Sequence, residues 1–294
     1  SAWVNLDPSQ SAPAPIFASQ DNEDLYNGFW FYASPNNFFV EYGDGLGGNN
    51  PAFRRGKAAS GLNLSNRWNH VCAVVSGTSQ ITLYLNGVDI GGSITGGSNL
   101  PMSSFHPNDV SRIGQDFQNG VQHNFKGIID EIRIFNRALS ETEIRQQMCK
   151  RLTGNESGLI GYWNFDETSG NALKDNSLSH FEGQLMGNPT RVFSGAPLGD
   201  ESVFLYTGSW AGKSVSLNNV KVSNVTGTPF GAHIYKVNSG PSQTNGLNAN
   251  AIDNSYYGVF IADNNTGNSF TFEYDVPVCQ SFSRNDNSIS FWTE

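Results

Sequence analysis

The sequence predicts an all-β protein: an antiparallel sandwich with one short helix, followed by a second, smaller β-sandwich module. Three observations predict this fold. The 294 residues include 32 glycines and 12% aromatic residues but only 15% charged residues, which is typical of loop-rich β proteins. Short apolar runs recur between turn signals at the spacing of an antiparallel sandwich. Asn86-Gly87 lies between two strand-like runs and favours a tight hairpin, because both residues tolerate positive φ.

The strands of the first half are predicted from their side-chain patterns. Two aromatic runs, residues 29–32 and 38–42, flank the turn sequence Ser-Pro-Asn-Asn. Residues 68–75 are typical of a buried strand. Residues 80–85 alternate between apolar and polar side chains, so we expect their apolar members to share one face and to pair with the strand after Asn86-Gly87.

One helix is predicted, from Ser140 to Met148. Ser140 can cap its first turn, and Glu143, three residues later, can close a capping box. Leu139 and Ile144 occupy the positions of a hydrophobic staple. Ile144 and Met148 are one turn apart and give the helix a narrow apolar stripe.

Two domains are predicted, residues 1–196 and residues 197–294. The core of the first is residues 1–148, and residues 158–196 add a strand and a loop-rich segment. The strand-like runs of the second domain are each bounded by Gly, Asn or Pro: Ser202–Tyr206, Ser214–Leu217, His233–Val237, Tyr256–Ala262 and Ser269–Tyr274. Both ends of the sequence lie inside strand-like runs, so we expect a fragment of a longer polypeptide.

Composition excludes several classes of partner. The formal net charge is −9 and the pI is near 5.0, which argues against a nucleic-acid partner. The sequence has no run of about 18 apolar residues, so no membrane insertion is expected. Cys72, Cys149 and Cys279 form no C-x-x-C pair and do not predict a zinc site. A disulfide between Cys72 and one of the other two remains open.

Four blocks of sequence carry a family resemblance: Arg67–Val71, Leu83–Gly87, Arg112–Asp116 and Phe125–Ser140. In this order and spacing, over about residues 1–148, they resemble the laminin G-like, concanavalin A-like jelly-roll domains. Residues 159–167 are similar to the opening strand of such domains. Here that strand follows the helix, as in multidomain surface proteins of gliding bacteria that use type IX secretion. Residues 198–294 are similar to a module that often follows in those proteins.

The resemblance implies a two-sheet jelly roll, usually with a structural calcium ion, that takes part in glycan or protein binding and in adhesion. It therefore implies a secreted or bacterial cell-surface protein. Its expected partners are a glycan or a cell-surface protein, together with neighbouring modules of the same long chain. The opening strands of the family are missing before Ser1. Residues 158–196 would then complete the sandwich, or the true N-terminal strands lie outside this sequence.

The carboxylate pair Asp130-Glu131 does not predict an enzyme. Neighbouring residues on a strand point to opposite faces, so the two carboxylates cannot both flank one glycosidic bond. The E-x-D-x-x-E strand of concanavalin A-like glucanases is absent. We expect Glu131 to be solvated or paired with Arg133 or Arg112, and we expect no catalytic residue.

Calcium is the expected cofactor. The resemblance places Asp130 in the family's last strand, where it would support a calcium site. Calcium takes about six to eight oxygen ligands, so further partners are needed. The candidates are Asp21, Glu23, Asp24 and Asp116.

A glycan site would combine exposed aromatic rings with planar polar groups. Trp30, Tyr32 and Tyr42, with Asn36 and Asn37, are the predicted ligand-binding residues. The competing interpretation is that these rings fill the core of the sandwich, as alternate aromatics on sandwich strands usually do. The predicted function is a non-catalytic binding module of an adhesin-like protein. The alternatives are an accessory carbohydrate-binding domain of an extracellular polysaccharide hydrolase and a ligand-free structural stalk repeat.

Overall fold

The computed structural model describes residues 1–19, 27–47, 50–103, 110–118, 121–241, 254–263 and 267–275. The chain divides into two compact units. Unit 1 contains residues 1–148 and 152–196, and unit 2 contains residues 149–151 and 197–294.

The described residues of unit 1 form short strands, one 3-10 turn over Pro51–Phe53 and one α-helix. Its elements are β1 (Ala2–Leu6), β2 (Ala14–Ala18), β3 (Phe29–Ser34), β4 (Asn37–Gly43), β5 (Arg54–Ser60), β6 (Trp68–Gly77), β7 (Gln80–Leu85), β8 (Val88–Asp89), β9 (Ser93–Thr95), β10 (Arg112–Ile113), β11 (Gln115–Gln118), β12 (Val121–Asn124), β13 (Gly127–Asp130), β14 (Ile132–Phe135), α1 (Glu141–Met148), β15 (Leu159–Trp163), β16 (Ala172–Leu173) and β17 (Gly183–Gln184).

Two main antiparallel sheets form the sandwich of unit 1. The five-stranded sheet has the order β13-β1-β6-β7-β8, and the six-stranded sheet has the order β10-β2-β3-β4-β5-β9. Strands β11 and β12 form a separate two-stranded sheet, as do β14 with β15 and β16 with β17. The all-β fold class predicted from the sequence is confirmed.

The core of unit 1 lies between the two sheets. Alternate residues of β1 and β7 meet alternate residues of β3 and β4, so that Val4 and Leu83 share one apolar cluster with Phe31 and Phe38. Trp163 belongs to the same cluster, and so does Leu173. Residues 158–196 therefore contribute side chains to the sandwich core. This agrees with the interpretation in which these residues complete the sandwich.

The predicted hairpin and helix cap are both present. Asn86 and Gly87 have φ values of 50° and 77° and connect β7 to β8. The Ser140 amide donates to Glu143 Oε2 at 2.8 Å, and the Glu143 amide donates to Ser140 Oγ at 3.3 Å. Leu139 and Ile144 are buried beside Cys72. The helix is therefore held by its capping box and its staple.

Unit 2 is a smaller two-sheet sandwich. Its strands are β18 (Glu201–Tyr206), β19 (Ser214–Leu217), β20 (Val220–Ser223), β21 (Gly231–Val237), β22 (Tyr256–Ala262) and β23 (Thr271–Tyr274). One sheet has the order β18-β21-β22 and the other β19-β20-β23. Val215 and Val222 of the second sheet share an apolar core with Ile234 of the first. Strand β20 is absent from the sequence-based assignment, although Asn218-Asn219 before it marks a two-residue turn.

Cys72 and Cys149 are both buried thiols and no disulfide joins them. Cys279 lies outside the described residues. Among the helices of the described ranges, none is long and apolar enough to cross a membrane.

Candidate functional site

The candidate site lies on the outer face of the six-stranded sheet, the side turned away from the core. Because side chains alternate along a strand, the outward residues of β3 and β4 form cross-strand pairs. Trp30 faces Glu41, and Tyr32 faces Phe39. The rings of Tyr32 and Phe39 are stacked, with centroids 5.2 Å apart and planes at 14°.

The Glu41 carboxylate, on β4, contacts residues of three other strands of this sheet. Trp30 Nε1 donates to Glu41 Oε2 at 3.3 Å, and an Arg54 guanidinium nitrogen lies 3.4 Å from the same oxygen. Thr95 Oγ1 on β9 donates to Glu41 Oε1 at 2.7 Å. We call Trp30, Glu41, Arg54 and Thr95 the Glu41 network.

Gly56 on β5 makes this network possible. It stands between Glu41 and Thr95 in the sheet register. A Cβ at Gly56 would lie 2.5 Å from Glu41 Cγ. The missing side chain therefore lets the Glu41 carboxylate cross over β5 to reach β9.

A second carboxylate, Asp116 on β11, accepts a hydrogen bond from the Tyr32 hydroxyl. Asp116 is buried, with 1% of its surface exposed. Burial and then the Asp116 carboxylate raise the pKa of the Tyr32 hydroxyl well above its ordinary value. The hydroxyl therefore stays protonated and keeps donating to Asp116.

The three rings predicted to form an exposed platform are buried, so this expectation is wrong. Trp30, Tyr32 and Tyr42 are 2%, 5% and 2% exposed. Trp30 and Tyr32 are fixed on the outer face by their partners, whereas Tyr42 points into the core, where its hydroxyl donates to the Leu100 carbonyl at 3.3 Å. These three rings therefore present no free face to solvent.

The accessible part of the outer face lies beside these rings. Phe39, Glu41 and Asn37 on β4 are half-buried, and so are Arg54 and Thr95. Asn36, at the turn between β3 and β4, is exposed, and its Oδ1 accepts from Asn37 Nδ2 at 2.7 Å. Asn37 and the partly accessible Phe39 are two residues apart on β4 and lie on the same side of the sheet.

Sequence reasoning did not find the Glu41 network. Glu41 could have been noticed as a charged residue inside an aromatic run, two positions after Phe39. Arg54 and Thr95 join it only through the pairing of β4 with β5 and of β5 with β9, which the sequence does not disclose.

The Asp130-Glu131 pair belongs to the scaffold of unit 1. Glu131 has φ 53°, which turns the chain between β13 and β14. Its carboxylate forms an ion pair with Arg133 and accepts from the Tyr162 hydroxyl at 2.9 Å. Arg133 also donates to the Gln147 carbonyl at 2.8 Å. Of the two partners expected for Glu131, the structure selects Arg133.

Asp130 accepts from the Glu131 backbone amide at 2.8 Å and is 6% exposed. Burial is the main cause that raises the pKa of Asp130 to about 7, and the nearby Glu131 and Asp166 carboxylates add to it.

The expected calcium ligands are not brought together by the described residues. Asp130 is on the five-stranded sheet, whereas Asp116 is bonded to Tyr32 of the other sheet. Across the described ranges, no three His, Cys, Asp or Glu side chains form a group that could hold a metal ion. Asp21, Glu23 and Asp24 lie outside the described residues.

The first half of the chain is similar to known proteins. Residues 1–145 match the profile of the Concanavalin A-like lectin/glucanases superfamily. One similar solved structure is that of a proposed carbohydrate-binding protein from Bacteroides ovatus ATCC 8483, with 21% sequence identity and a TM-score of 0.46. The alignment covers 62% of this chain and 50% of that protein, so the chain spans about half of its length. The comparison with curated proteins finds no significant match.

Proposed function

We propose that unit 1 is a non-catalytic glycan-binding module and that it binds through the accessible part of its outer face, at Phe39, Glu41 and Asn37. One observation carries the proposal: a half-buried aromatic ring lies next to a carboxylate whose orientation is fixed by Trp30 and Thr95. The match of residues 1–145 to a superfamily of lectins and glucanases supports a saccharide as the ligand.

The chemistry of this surface suits a sugar. The C–H face of a pyranose is apolar and can stack on the Phe39 ring, while its hydroxyls need directed polar partners. Glu41 can accept hydrogen bonds as a charged acceptor, which roughly doubles their strength over neutral ones. Asn37 can both donate and accept. Because Glu41 is held by its partners before binding, little side-chain entropy is lost on complex formation.

The partners of the two carboxylates near this face, Glu41 and Asp116, favour binding without turnover. Glycoside hydrolysis needs two carboxyl groups roughly 5–9.5 Å apart, one of them a proton donor. Glu41 is paired with Arg54, and Asp116 is buried against the Tyr32 hydroxyl. Neither is arranged to deliver a proton to a glycosidic oxygen.

The wider setting we propose is a secreted or cell-surface adhesin-like protein of a bacterium that uses type IX secretion, in which this chain is joined to further modules. The acidic charge supports it, and so does the resemblance of residues 159–167 and 198–294 to segments of such proteins. Antibodies against the chain should label intact cells of the source organism. Labelling only after lysis would contradict a surface location.

A glycan array probed with the full chain tests binding directly. We expect retention on a subset of glycans, with at least about a fivefold loss for Phe39→Ala and for Glu41→Gln. Phe193→Ala is the matched control, because Phe193 is 76% exposed in the same unit and lies outside the outer face. Equal losses in all three variants, or no retention above background, would contradict the proposal.

A further inference from the structure

Unit 2 has an unusual sheet face that neither the sequence motifs nor the family match accounts for. In the sheet β18-β21-β22, Val203, Ile234 and Val259 point into the core. The opposite side of an antiparallel sheet usually carries polar residues. Here that side is aromatic, and we call it the aromatic face of unit 2; its members are Phe204, Tyr206, His233, Tyr235, Tyr256 and Phe260.

Two tyrosine rings of this face lie across glycines of the neighbouring strand. A Cβ at Gly231 would meet Tyr206 Cγ, Cδ1 and Cδ2 at 2.6, 2.7 and 2.8 Å. Because three adjacent ring atoms are almost equally distant, the flat side of the ring, and not its edge, is turned towards the glycine. At Gly258 the nearest atoms would be Tyr235 Cζ, Oη and Cε2, so the hydroxyl end of that ring lies over the glycine. Both rings therefore lie over glycines of the sheet, and part of each remains exposed to solvent.

A buried histidine fixes the position of one ring. His233 is 0% exposed, and its Nε2 lies 3.1 Å from the Tyr206 hydroxyl. Its Nδ1 lies 3.5 Å from Ser202 Oγ. The His233 ring packs against Phe204, with centroids 5.4 Å apart. The Tyr206 ring is thus set before any ligand arrives, which lowers the entropy lost on binding.

Part of the face is accessible, and none of its six members is a carboxylate, a lysine or an arginine. Phe204, Tyr206 and Tyr235 are half-buried, and Tyr256 is 39% exposed. Lys236 and Glu201 pair with each other at 3.7 Å and alternate to the opposite side of the sheet. A ligand therefore meets ring faces and hydroxyl groups and no carboxylate, lysine or arginine of these strands.

The spacing of the two rings favours a chain-like ligand. The glycines they cover are Gly231 on β21 and Gly258, which stands opposite Tyr235 on β22. The two covered glycines are therefore four residues apart along the strands, roughly 13 Å, and one strand apart across the sheet, about 5 Å. Two flat rings at this distance suit an extended polymer with repeated apolar faces better than a single sugar.

We propose that the aromatic face of unit 2 is a second binding site and that its ligand is a neutral polysaccharide, stacked on Tyr206 and Tyr235. Flat rings with hydroxyl rims match the C–H faces and hydroxyl edges of pyranoses. The net charge of −9 disfavours anionic glycans. This site is separate from the outer face of unit 1 and does not depend on the function proposed for that face.

Affinity electrophoresis of the full chain tests the proposal. Native gels would contain hydroxyethyl cellulose, laminarin or galactomannan, with alginate as the anionic comparison. All proteins would carry Phe39→Ala, so that the proposed site of unit 1 is weakened throughout. We expect retardation by at least one neutral polysaccharide and none by alginate. Tyr206→Ala and Tyr235→Ala should each weaken it at least about fivefold.

Two further variants separate binding from a purely structural role of the tyrosines. Phe270→Ala is the matched control, because Phe270 is 40% exposed and precedes β23 of the other sheet. It should leave retardation unchanged. The double variant Tyr206→Phe/Tyr235→Phe keeps both rings. It should weaken retardation less than the alanine variants do, while abolishing the near-ultraviolet tyrosine difference band that the polysaccharide induces in the parent protein.

Three results would overturn the proposal. One is no retardation by any neutral polysaccharide. Another is an equal loss in Phe270→Ala and in the tyrosine variants. The third is a protein that shows no retardation but self-associates increasingly with concentration in sedimentation, with the self-association lost in Tyr206→Ala. That result would make the face a protein interface.

Discussion

Among the carboxylate–arginine pairs of unit 1, Glu131–Arg133 and Glu41–Arg54 differ in how much water reaches them. The side chains of Arg133 and Glu131 are 1% and 3% exposed, whereas those of Arg54 and Glu41 are 22% and 15% exposed. In both pairs a second donor holds the carboxylate: Tyr162 in the first and Thr95 in the second.

The difference shows how burial decides the role of the same ion pair. Glu131 has all of its partners inside the protein and connects β14 and β15 near the end of α1. Glu41 is held on one side by its partners and remains open to solvent on the other. A carboxylate that is oriented but only partly buried can bind a ligand without being rebuilt, and Glu41 meets that description.

Breaking the buried pair should have the largest effect. We expect Arg133→Met to lower the free energy of unfolding of unit 1 by about 3–5 kcal/mol, because it leaves the Glu131 charge buried without its cation. Arg54→Met, the matched change in the other pair, should cost at most about 1 kcal/mol. Urea unfolding of the full chain measures both. Equal losses would show that the two pairs do not differ in the way their burial indicates.

Asp175 extends the comparison to a buried carboxylate with no cation. It accepts from the backbone amides of Tyr162, Ser177 and Phe181, each at 2.8 Å. Burial alone would raise the pKa of Asp175, but the amides of Ser177, Tyr162 and Phe181 outweigh it and hold this pKa below its usual value.

Asp175→Asn should cost about 2–3 kcal/mol at neutral pH, because the new amide group would face donors. Since the folded state binds the proton of Asp175 less readily than the unfolded state, this stability is present above the unfolded pKa and is lost as pH falls through the folded value. Urea unfolding of parent and variant across the acid range measures the difference, which should shrink with acidification. A difference that is independent of pH would contradict this account.

Asp130 should show the opposite dependence on pH. Burial is the main cause that raises the pKa of Asp130 to about 7. Between about pH 4 and pH 7, the folded protein therefore holds a proton that the unfolded chain has already released. Stability should therefore fall as pH rises from about 4 to about 7. Asp130→Asn removes this loss. We expect the free energy of unfolding of the variant, relative to that of the parent, to be roughly 2–3 kcal/mol higher at pH 8 than at pH 4. Parallel pH profiles of variant and parent would contradict the assignment.

Calcium should have the smallest effect on stability. If the ion binds the native state alone, removing it with EDTA should lower stability by about 1–2 kcal/mol, measured as a lower melting temperature. We expect the change to disappear in Asp21→Asn/Glu23→Gln/Asp24→Asn and to persist in Asp89→Asn, an exposed carboxylate that serves as control. An identical melting curve with and without EDTA in the parent protein would exclude a structural calcium ion.

Local signals account for much of the fold. Asn86-Gly87 and the capping box of Ser140 and Glu143 act through neighbouring residues, and the structure has both. The aromatic runs were assigned to the correct strands. Their outward and inward sides could not be assigned, because the pairing of β3 with β4 places Tyr42 in the core and leaves Phe39 partly open.

The candidate site was predicted less well, for a physical reason. Its residues come from β3, β4, β5 and β9, and only the register of the sheet brings Thr95 to Glu41. Trp30 and Tyr32 were predicted as exposed ligand-binding residues, but their polar tips find partners inside the protein and their rings are covered. The sequence pattern did not predict the aromatic face of unit 2, because the glycines that provide the space for its rings look like turn residues in a sequence.

The position of β1 has a consequence for how the protein is made. Trp3 pairs with His70 on one side and with Asp130 on the other. During synthesis, the segment Ala2–Leu6 leaves the ribosome long before either neighbour exists, and it lacks its full set of hydrogen-bond partners until β6 and then β13 follow. Closing the sheet must therefore wait for distant segments, so we expect slow folding of unit 1 and a need for chaperones while its first strand is exposed.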